Sequence, residues 1–431
     1  MKRATPLLSP ARRTVIKALA GSCAAACTPS SRDPSVLTFW AMGREGEVVA
    51  ELLPGFERAH PGVRIEVQTL PWTAAHERLL TAFVGRSLPD IAQLGNTWIP
   101  EFAALGALDE LDARVEASAT IDSGDYFPGI WRTNLFGERL FGVPWYVDTR
   151  VLFYRRDLLE AVGYRAPPAN WSEWTDALQT LKRQAGAGNY AILLPLNEFE
   201  PLLALGLQQD EPLLTASNTR GNFQSDGFKR ALHYYLGMFE QGLAPPATNN
   251  QISNLYNEFN RGYFSFYITG PWNIGEFKRR LPAERQEIWM TAPLPGPNGP
   301  GASTAGGSSL VIFRNSPRKD LAWALVEYLS QPEIQARFHA STGDLPPRRS
   351  AWRDPSLARD PYARAFAEQL ERARAAPQVP EWERIADELR IVSEHMVRGE
   401  LSVDAAAAAL DARADRILEK RRWMVETGRS P

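Results

Sequence analysis

Cysteine and histidine are scarce in this sequence, and their positions exclude several kinds of site. Only two of the 431 residues are cysteine, Cys23 and Cys27. Because both fall within the first 30 residues, the folded body can hold neither a disulfide nor a thiolate-bound metal. The five histidines are dispersed, and no two stand at the spacing of a metal motif such as H-E-x-x-H. We therefore expect no metal site and no cofactor.

Catalytic motifs and positive charge are also lacking. The chain contains no G-x-S-x-G nucleophile motif and no phosphate-binding loop. Its formal net charge is -2, and the five lysines and arginines of residues 1–26 have no acidic residue among them. The rest of the chain is therefore more acidic than the whole, which argues against a nucleic-acid partner.

Aromatic residues are plentiful by contrast, with 13 tryptophans and 10% aromatic residues overall. Aromatic rings suit ligands with apolar faces and polar edges, and a sugar is such a ligand. Most tryptophans should nevertheless fill the core, as we expect of Trp131, Trp289, Trp323 and Trp423. Only a few are needed to line a binding site.

Residues 1–27 have the layout of an export leader. Arg12 and Arg13 precede an apolar stretch shorter than the roughly 20 residues that span a bilayer. The arginine pair resembles the twin-arginine export signal. Residues 24–27, Ala-Ala-Ala-Cys, resemble the lipobox of bacterial lipoproteins, which implies lipid attachment at Cys27 and a periplasmic or cell-surface location.

Two alternatives to lipidation at Cys27 stay open. Cys23 is a competing lipid acceptor, and an ordinary cleaved signal would discard both cysteines. Residues 28–35, rich in serine and proline, follow as a flexible tether.

Strand and helix patterns alternate after the tether. The run from Val36 to Trp40 is typical of a strand, and apolar residues at helical spacing follow it. The order βαβαβ up to Leu94 predicts a parallel sheet, whose ligands bind at the carboxyl ends of the strands. A second α/β stretch begins near Thr149, and its helix at residues 171–185 has Asn170 as the expected N-cap.

Several blocks in fixed order resemble the family of extracellular solute-binding proteins that includes maltose-binding and trehalose/maltose-binding proteins. The resemblance covers essentially the whole chain from Val36 onward. The most informative blocks are Pro71-Trp72, Leu88-Pro89-Asp90-Ile91, Gly95-Asn96-Thr97-Trp98, Gly142-Val143-Pro144-Trp145-Tyr146-Val147-Asp148, Gly270-Pro271-Trp272 and Ala305-Gly306-Gly307-Ser308.

The resemblance implies a two-lobe α/β fold of the type II periplasmic-binding-protein class, with the ligand cleft between the lobes. Each lobe would be a mostly parallel sheet flanked by helices. Residues 36–148 and 302–350 would form lobe 1, and residues 149–301 and 351–431 would form lobe 2. The crossings near Asp148, Pro300 and Arg349 would act as hinges.

The function implied is that of an extracytoplasmic receptor, not an enzyme, which gives a sugar to the permease of an ABC importer. We expect a monomer that binds a di- or oligosaccharide such as trehalose or maltose. A receptor of the same fold for another solute is the alternative, and a glycoside hydrolase with two carboxylates is a more distant one.

Candidate ligand-binding residues are aromatic side chains, hydrogen-bonding side chains and small residues at loops. Trp272, which follows a predicted strand, is the leading stacking candidate, and Gly306 and Gly307 would let backbone N–H groups approach the ligand. The full candidate set is Arg44, Glu45, Trp72, Asn96, Trp98, Trp145, Asp148, Asn197, Glu198, Trp272, Gly306, Gly307 and Arg349.

Overall fold

The structure, a computed structural model, describes residues 35–429. The expected export leader, both cysteines and residues 28–34 of the expected tether lie outside the described residues. Nothing in the structure therefore bears on the lipid attachment expected at Cys27.

The strands follow the predicted order closely in the first part of the chain. They are β1 (Val36–Met42), β2 (Arg64–Leu70), β3 (Ile91–Gly95), β4 (Leu135–Phe136), β5 (Arg139–Leu140), β6 (Val143–Asp148), β7 (Val151–Arg155), β8 (Ile192–Leu193), β9 (Leu214–Thr215), β10 (Arg220–Gly221), β11 (Phe266–Thr269), β12 (Trp289–Ala292), β13 (Ser303–Thr304), β14 (Gly306–Ile312) and β15 (Ala373–Arg374).

Helices cover the faces of the sheets and make up most of the C-terminal part. The α-helices are Gly43–Ala59, Trp72–Val84, Ile99–Ala104, Asp112–Glu116, Pro128–Arg132, Arg156–Ala161, Trp171–Ala185, Glu200–Leu207, Asp226–Glu240, Leu255–Arg261, Trp272–Arg280, Lys319–Leu329, Pro332–Thr342, Pro355–Ala358, Arg364–Leu370, Trp382–Val397, Val403–Ile417 and Glu419–Glu426. Short 3-10 helices are Ser123–Asp125, Asn249–Gln251, Ala283–Ile288 and Arg349–Arg353.

Two sheets organise these elements. One has five strands in the order β2-β1-β3-β14-β6, and the other has four in the order β12-β7-β11-β8. The chain passes from the first sheet to the second between β6 and β7, across Thr149 and Arg150 alone. All strands of the first sheet fall within the residues expected for lobe 1, and all strands of the second within those expected for lobe 2. The lobe boundaries and hinges themselves stay predictions.

Local sequence signals explain several of these elements. The helix Gly43–Ala59 buries Val48, Val49, Leu52, Leu53 and Phe56, as their spacing predicts. Asn170 caps Trp171–Ala185, since its side chain accepts a hydrogen bond from the Glu173 N–H at 3.0 Å. Both predictions are confirmed.

The expectation of mostly parallel sheets needs correction, because both sheets are mixed. β1 pairs with β3, and β11 with β8, in parallel. β14 is antiparallel to both β3 and β6, and β7 is antiparallel to both β11 and β12. The reason lies in the crossings. β3 and β6 end where the sheets meet, whereas β14 and β7 enter from a crossing and begin there, so each runs against its neighbours.

The core consists of buried apolar clusters around both sheets. One cluster around the second sheet includes Trp174 and Trp382, and the first sheet packs between two others. The core positions expected for Trp289 and Trp323 are confirmed, and Trp131 packs partly buried against a core cluster. Trp423 was expected in the core but is 47% exposed, because its helix lies on the surface. Within residues 35–429, no helix is both long and apolar enough to cross a membrane.

Candidate functional site

A cavity of about 550 Å³ lies where strand ends of the two sheets meet. Gly95 and Asp148, at the ends of β3 and β6, line it together with the start of β14. The second sheet contributes Pro271 and Trp272, which follow β11 after Gly270. The volume falls in the range of small-molecule sites. Ligand binding at strand ends, as the sequence predicts, would therefore involve both sheets.

Three partly exposed tryptophans line this cavity. Trp72 and Trp98 fall within the residues expected for lobe 1, with ring centroids 5.7 Å apart and their rings edge to face. Trp272 stands at the start of its helix and is 43% exposed. Exposed indole faces in a concave site can pack against the C–H face of a sugar ring.

A cluster of charged side chains lies beside Trp272. Arg150 donates from Nη1 to Asp148 Oδ1 at 2.6 Å and from Nη2 to Glu200 Oε1 at 2.8 Å. Burial raises the pKa of Asp148 above its ordinary value, although the charge of Arg150 opposes the shift. Burial would lower the pKa of Arg150, but Asp148 and Glu200 outweigh it and raise that pKa. Arg150 therefore stays charged at every physiological pH.

A second polar group in the cavity is centred on Tyr146. The Tyr146 hydroxyl donates to Glu45 Oε1 at 2.8 Å and accepts from Gln93 Nε2 and Ser308 Oγ at 3.1 and 3.0 Å. Burial raises the pKa of Tyr146 well above its ordinary value, so its hydroxyl keeps its proton. The tyrosine thereby holds the Glu45 carboxylate in place.

Of the carboxyl groups that line the cavity, Asp344 is the one whose negative charge is most clearly disfavoured by its surroundings. Burial, with the negative charges of Glu45 and Asp148 added, raises the pKa of Asp344 to about 7. Near neutral pH this side chain is therefore divided between a hydrogen-bond donor and an acceptor form.

His76 and Glu101 support the aromatic side of the cavity. His76 Nε2 lies 2.7 Å from Glu101 Oε2, and its ring centroid lies 5.0 Å from that of Trp98. The hydrogen bond to Glu101 raises the pKa of His76 despite partial burial. The pair thus fixes the surface behind Trp98.

Eight of the candidate residues line the cavity. They are Glu45, Trp72, Asn96, Trp98, Asp148, Trp272, Gly306 and Gly307. The amide of Asn96 is committed to the fold, since its Nδ2 donates to the Ala305 carbonyl at 3.1 Å.

Gly306 and Gly307 line the cavity for a reason that the sequence did not suggest. A Cβ on Gly306 would lie 2.8 Å from the Asp148 carbonyl oxygen, and one on Gly307 would lie 2.3 Å from that of Tyr146. Gly307 also has a φ of +122°, which favours glycine. The close pairing of β14 with β6 therefore requires both glycines, whatever the ligand.

The other five candidates lie outside the cavity. Arg44 is exposed and pairs with Glu47 at 3.2 Å. Trp145 is only 2% exposed and stacks on Phe338, with ring centroids 4.5 Å apart. Since side chains alternate along a strand, Trp145 faces the core where Tyr146 faces the cavity.

Loop contacts occupy the remaining three. Asn197 Oδ1 accepts from the Asn249 backbone N–H at 2.8 Å, and Glu198 Oε1 accepts from Asn249 Nδ2 at 2.5 Å. Arg349 makes a bidentate pair with Glu371 at 2.9 and 2.7 Å. These positions give no support to a ligand role for the five.

Several cavity residues were missed by sequence reasoning. Tyr146 and Arg150 stand two positions either side of Asp148, so the alternation of the strand could have indicated them. Others come from separate elements with no local signal, among them Phe199, Glu200, Asp344, Trp382 and Glu383.

Comparisons with known proteins agree with this geometry. The profile of the bacterial extracellular solute-binding protein family matches residues 42–336. The structure of the sugar-binding protein MalE from the phytopathogen Xanthomonas citri is 55% identical, covers 91% of this chain and 99% of its own, and superposes with a TM-score of 0.89. The agreement confirms the expected two-lobe α/β fold.

Two curated relatives are more distant but also match over most of their length. A putative binding protein of Brucella abortus is 26% identical over 383 residues, which is 88% of this chain and 91% of the relative. An uncharacterised lipoprotein of Streptomyces antibioticus is 27% identical over 381 residues, covering 83% of this chain and 82% of the relative.

Proposed function

Because the chain belongs to the family of bacterial extracellular solute-binding proteins, we propose that it is the carbohydrate-binding receptor of an ABC importer. Its two lobes close around a di- or oligosaccharide and deliver the sugar to the permease. The observation that carries this proposal is the cavity, which combines exposed tryptophan rings with fixed carboxylates. The 55% identity to a protein described as sugar-binding supports it.

The chemistry of the cavity fits a sugar. Trp72, Trp98 and Trp272 offer flat apolar surfaces to pyranose C–H groups. Glu45 and Asp148 offer charged acceptors to hydroxyl groups, and hydrogen bonds to charged acceptors are roughly twice as strong as neutral ones. Trehalose and maltose are the first ligands to test.

The family supports a receptor role without catalysis. Its members are solute-binding proteins. Asp148 and Glu200 both accept hydrogen bonds from Arg150, so an arginine holds both carboxyl groups. Incubation of the protein with oligosaccharides should therefore yield no shorter products.

Location and partners complete the proposal. The family is extracellular, and one relative is a lipoprotein, which supports export and attachment through Cys27. We propose that the protein acts as a monomer and reaches the membrane only through this lipid and the permease. Export by the twin-arginine route is part of the same proposal.

Isothermal titration of the purified protein with mono-, di- and trisaccharides tests the central claim. We expect one disaccharide or longer sugar to bind, and Trp272→Ala to weaken binding by at least about tenfold. Trp423→Ala is the matched control, because Trp423 is 47% exposed, also lies under an arginine, and is not part of the cavity lining. Binding of an amine or a phosphate but of no sugar would contradict the carbohydrate assignment and leave the fold unaffected.

A further inference from the structure

Arg150 occupies an unusual position between the two sheets. It lies in the two-residue connection from β6 to β7, and its backbone N–H donates to Ser303 Oγ at 3.1 Å, in the segment that returns to the first sheet. Its side chain is only 9% exposed, although it borders the cavity. The residue therefore lies in one connection between the sheets and contacts a second one beside the cavity.

The guanidinium group uses its edge and its face for different partners. Its two terminal nitrogens donate to Asp148 and Glu200, which hold the plane of the group from two sides. Its central carbon lies 4.7 Å from the ring centroid of Trp272. An arginine can make such contacts together because the guanidinium is planar and its face stays free when its edge is paired.

The ring of Trp272 contacts Arg150 and the backbone at Gly270. The residue is 43% exposed and begins its helix without a side-chain cap. On the protein side, the ring packs against Gly270, where an added Cβ would lie 2.0 Å from Trp272 Cζ3. Gly270 lets the ring approach the backbone closely, and the Arg150 guanidinium lies over the ring.

We propose that Arg150 is a positioning residue, which orients Trp272 for the ligand and links that orientation to the connection between the sheets. The inference rests on the proposed function, since it concerns how the same cavity binds a sugar. A change in the β6–β7 connection as the lobes move would shift the guanidinium and with it the indole plane. The stacking surface would then be presented correctly in one arrangement of the lobes.

A double-mutant cycle on the purified full chain tests the proposal. Arg150→Lys keeps a positive charge for Asp148 and Glu200 but removes the flat face, and Arg150→Met removes both. We expect sugar affinity to fall about threefold in Arg150→Lys and about tenfold in Arg150→Met. In a Trp272→Ala background, Arg150→Lys should cost less than about twofold, because the ring to be oriented is absent and the positive charge beside Asp148 is kept.

Arg348 provides the matched control. Its side chain is also 9% exposed and donates a hydrogen bond to Asp125 at 2.7 Å. It lies over the ring of Tyr126, 5.6 Å from the ring centroid, and it is not part of the cavity lining. Arg348→Lys should lower stability without changing affinity. An affinity loss of equal size with and without Trp272 would mean that Arg150 acts on the sugar itself or on the fold, and would overturn the positioning role.

A second measurement needs no ligand. In the full chain labelled with 5-fluorotryptophan, the ¹⁹F resonance of Trp272 can be assigned through Trp272→Phe. We expect it to shift in Arg150→Lys while the resonances of buried Trp145 and Trp289 stay in place. An unmoved Trp272 resonance overturns the proposal. If the unmodified protein binds no sugar, the proposed function fails alone, and this spectrum still decides whether Arg150 holds the ring.

Discussion

Replacing Asp344 by asparagine should stabilise the protein at alkaline pH. Burial, with the charges of Glu45 and Asp148 added, raises the pKa of Asp344 from its ordinary value of 3.8 to about 7. Ionisation is therefore more costly in the folded chain than in the unfolded chain. The amide of asparagine has nearly the same shape and carries no charge, so the variant escapes this cost.

The size and sign of the stability change follow from the linkage between protonation and folding. A rise in pKa from 3.8 to about 7 corresponds to about 4 kcal/mol at about 1.4 kcal/mol for each pH unit. Since the side chain is not completely enclosed, we expect a gain of about 2 kcal/mol at pH 8. Because the pKa of Asp344 is higher in the folded chain than in the unfolded chain, its protonated form stabilises the fold below pH 4. This stabilisation is lost as the pH rises towards 7. The advantage of Asp344→Asn should therefore be small at pH 4 and complete at pH 8.

Urea unfolding of both proteins at pH 4, 6 and 8 measures this difference. Asp125→Asn is the control with the opposite sign. Burial opposes the ionisation of Asp125, but hydrogen bonds from Ser350 and Arg348 outweigh it and lower its pKa. That substitution should therefore cost stability at pH 8 and less on acidification. Our account of the cavity would be refuted if Asp344→Asn showed no advantage at pH 8, or the same advantage at pH 4 and pH 8.

Three further outcomes are expected. Asp90→Asn should cost about 3–5 kcal/mol in urea unfolding at pH 7, because the fully buried Asp90 pairs with Arg318 at 2.8 Å; a cost below 1 kcal/mol would contradict this. Gly307→Ala should cost about 1–3 kcal/mol in the same assay, since its φ is +122° and a Cβ would meet a β6 carbonyl; unchanged stability would count against it. Labelling with radioactive palmitate should fail in Cys27→Ser and persist in Cys23→Ser, and the reverse would identify Cys23 as the acceptor.

The elements of the fold that depend on local patterns could be predicted from the sequence. The apolar spacing of Gly43–Ala59 and the Asn170 cap are local signals, and the structure has both features. The direction of β14 could not be predicted in this way, because it depends on how the chain returns from the second sheet. Alternation of strand and helix indicates a parallel sheet only where no such crossing intervenes.

The cavity was predictable to the extent that its residues follow strands. Asp148 ends β6, Trp272 stands three residues after the end of β11, and both line the cavity. Trp145 failed because one position along a strand reverses the side of the sheet that a side chain faces. Asp344 belongs to a distant segment, and only the tertiary fold places it beside Glu45.

The charges of the cavity bear on which solutes it would reject. Glu45, Asp148, Glu200 and Asp344 supply carboxyl groups, whereas the charge of Arg150 is already shared between two of them. A phosphate or a sugar acid would meet negative charge, and among the described residues that line the cavity the one cation, Arg150, is already paired. Like charges brought close together would then cost several kcal/mol. A neutral sugar meets the same carboxylates as hydrogen-bond acceptors. The same carboxyl groups therefore disfavour an anion and favour a ligand with many hydroxyl groups. For this reason the acidic cavity supports a carbohydrate over a phosphate compound.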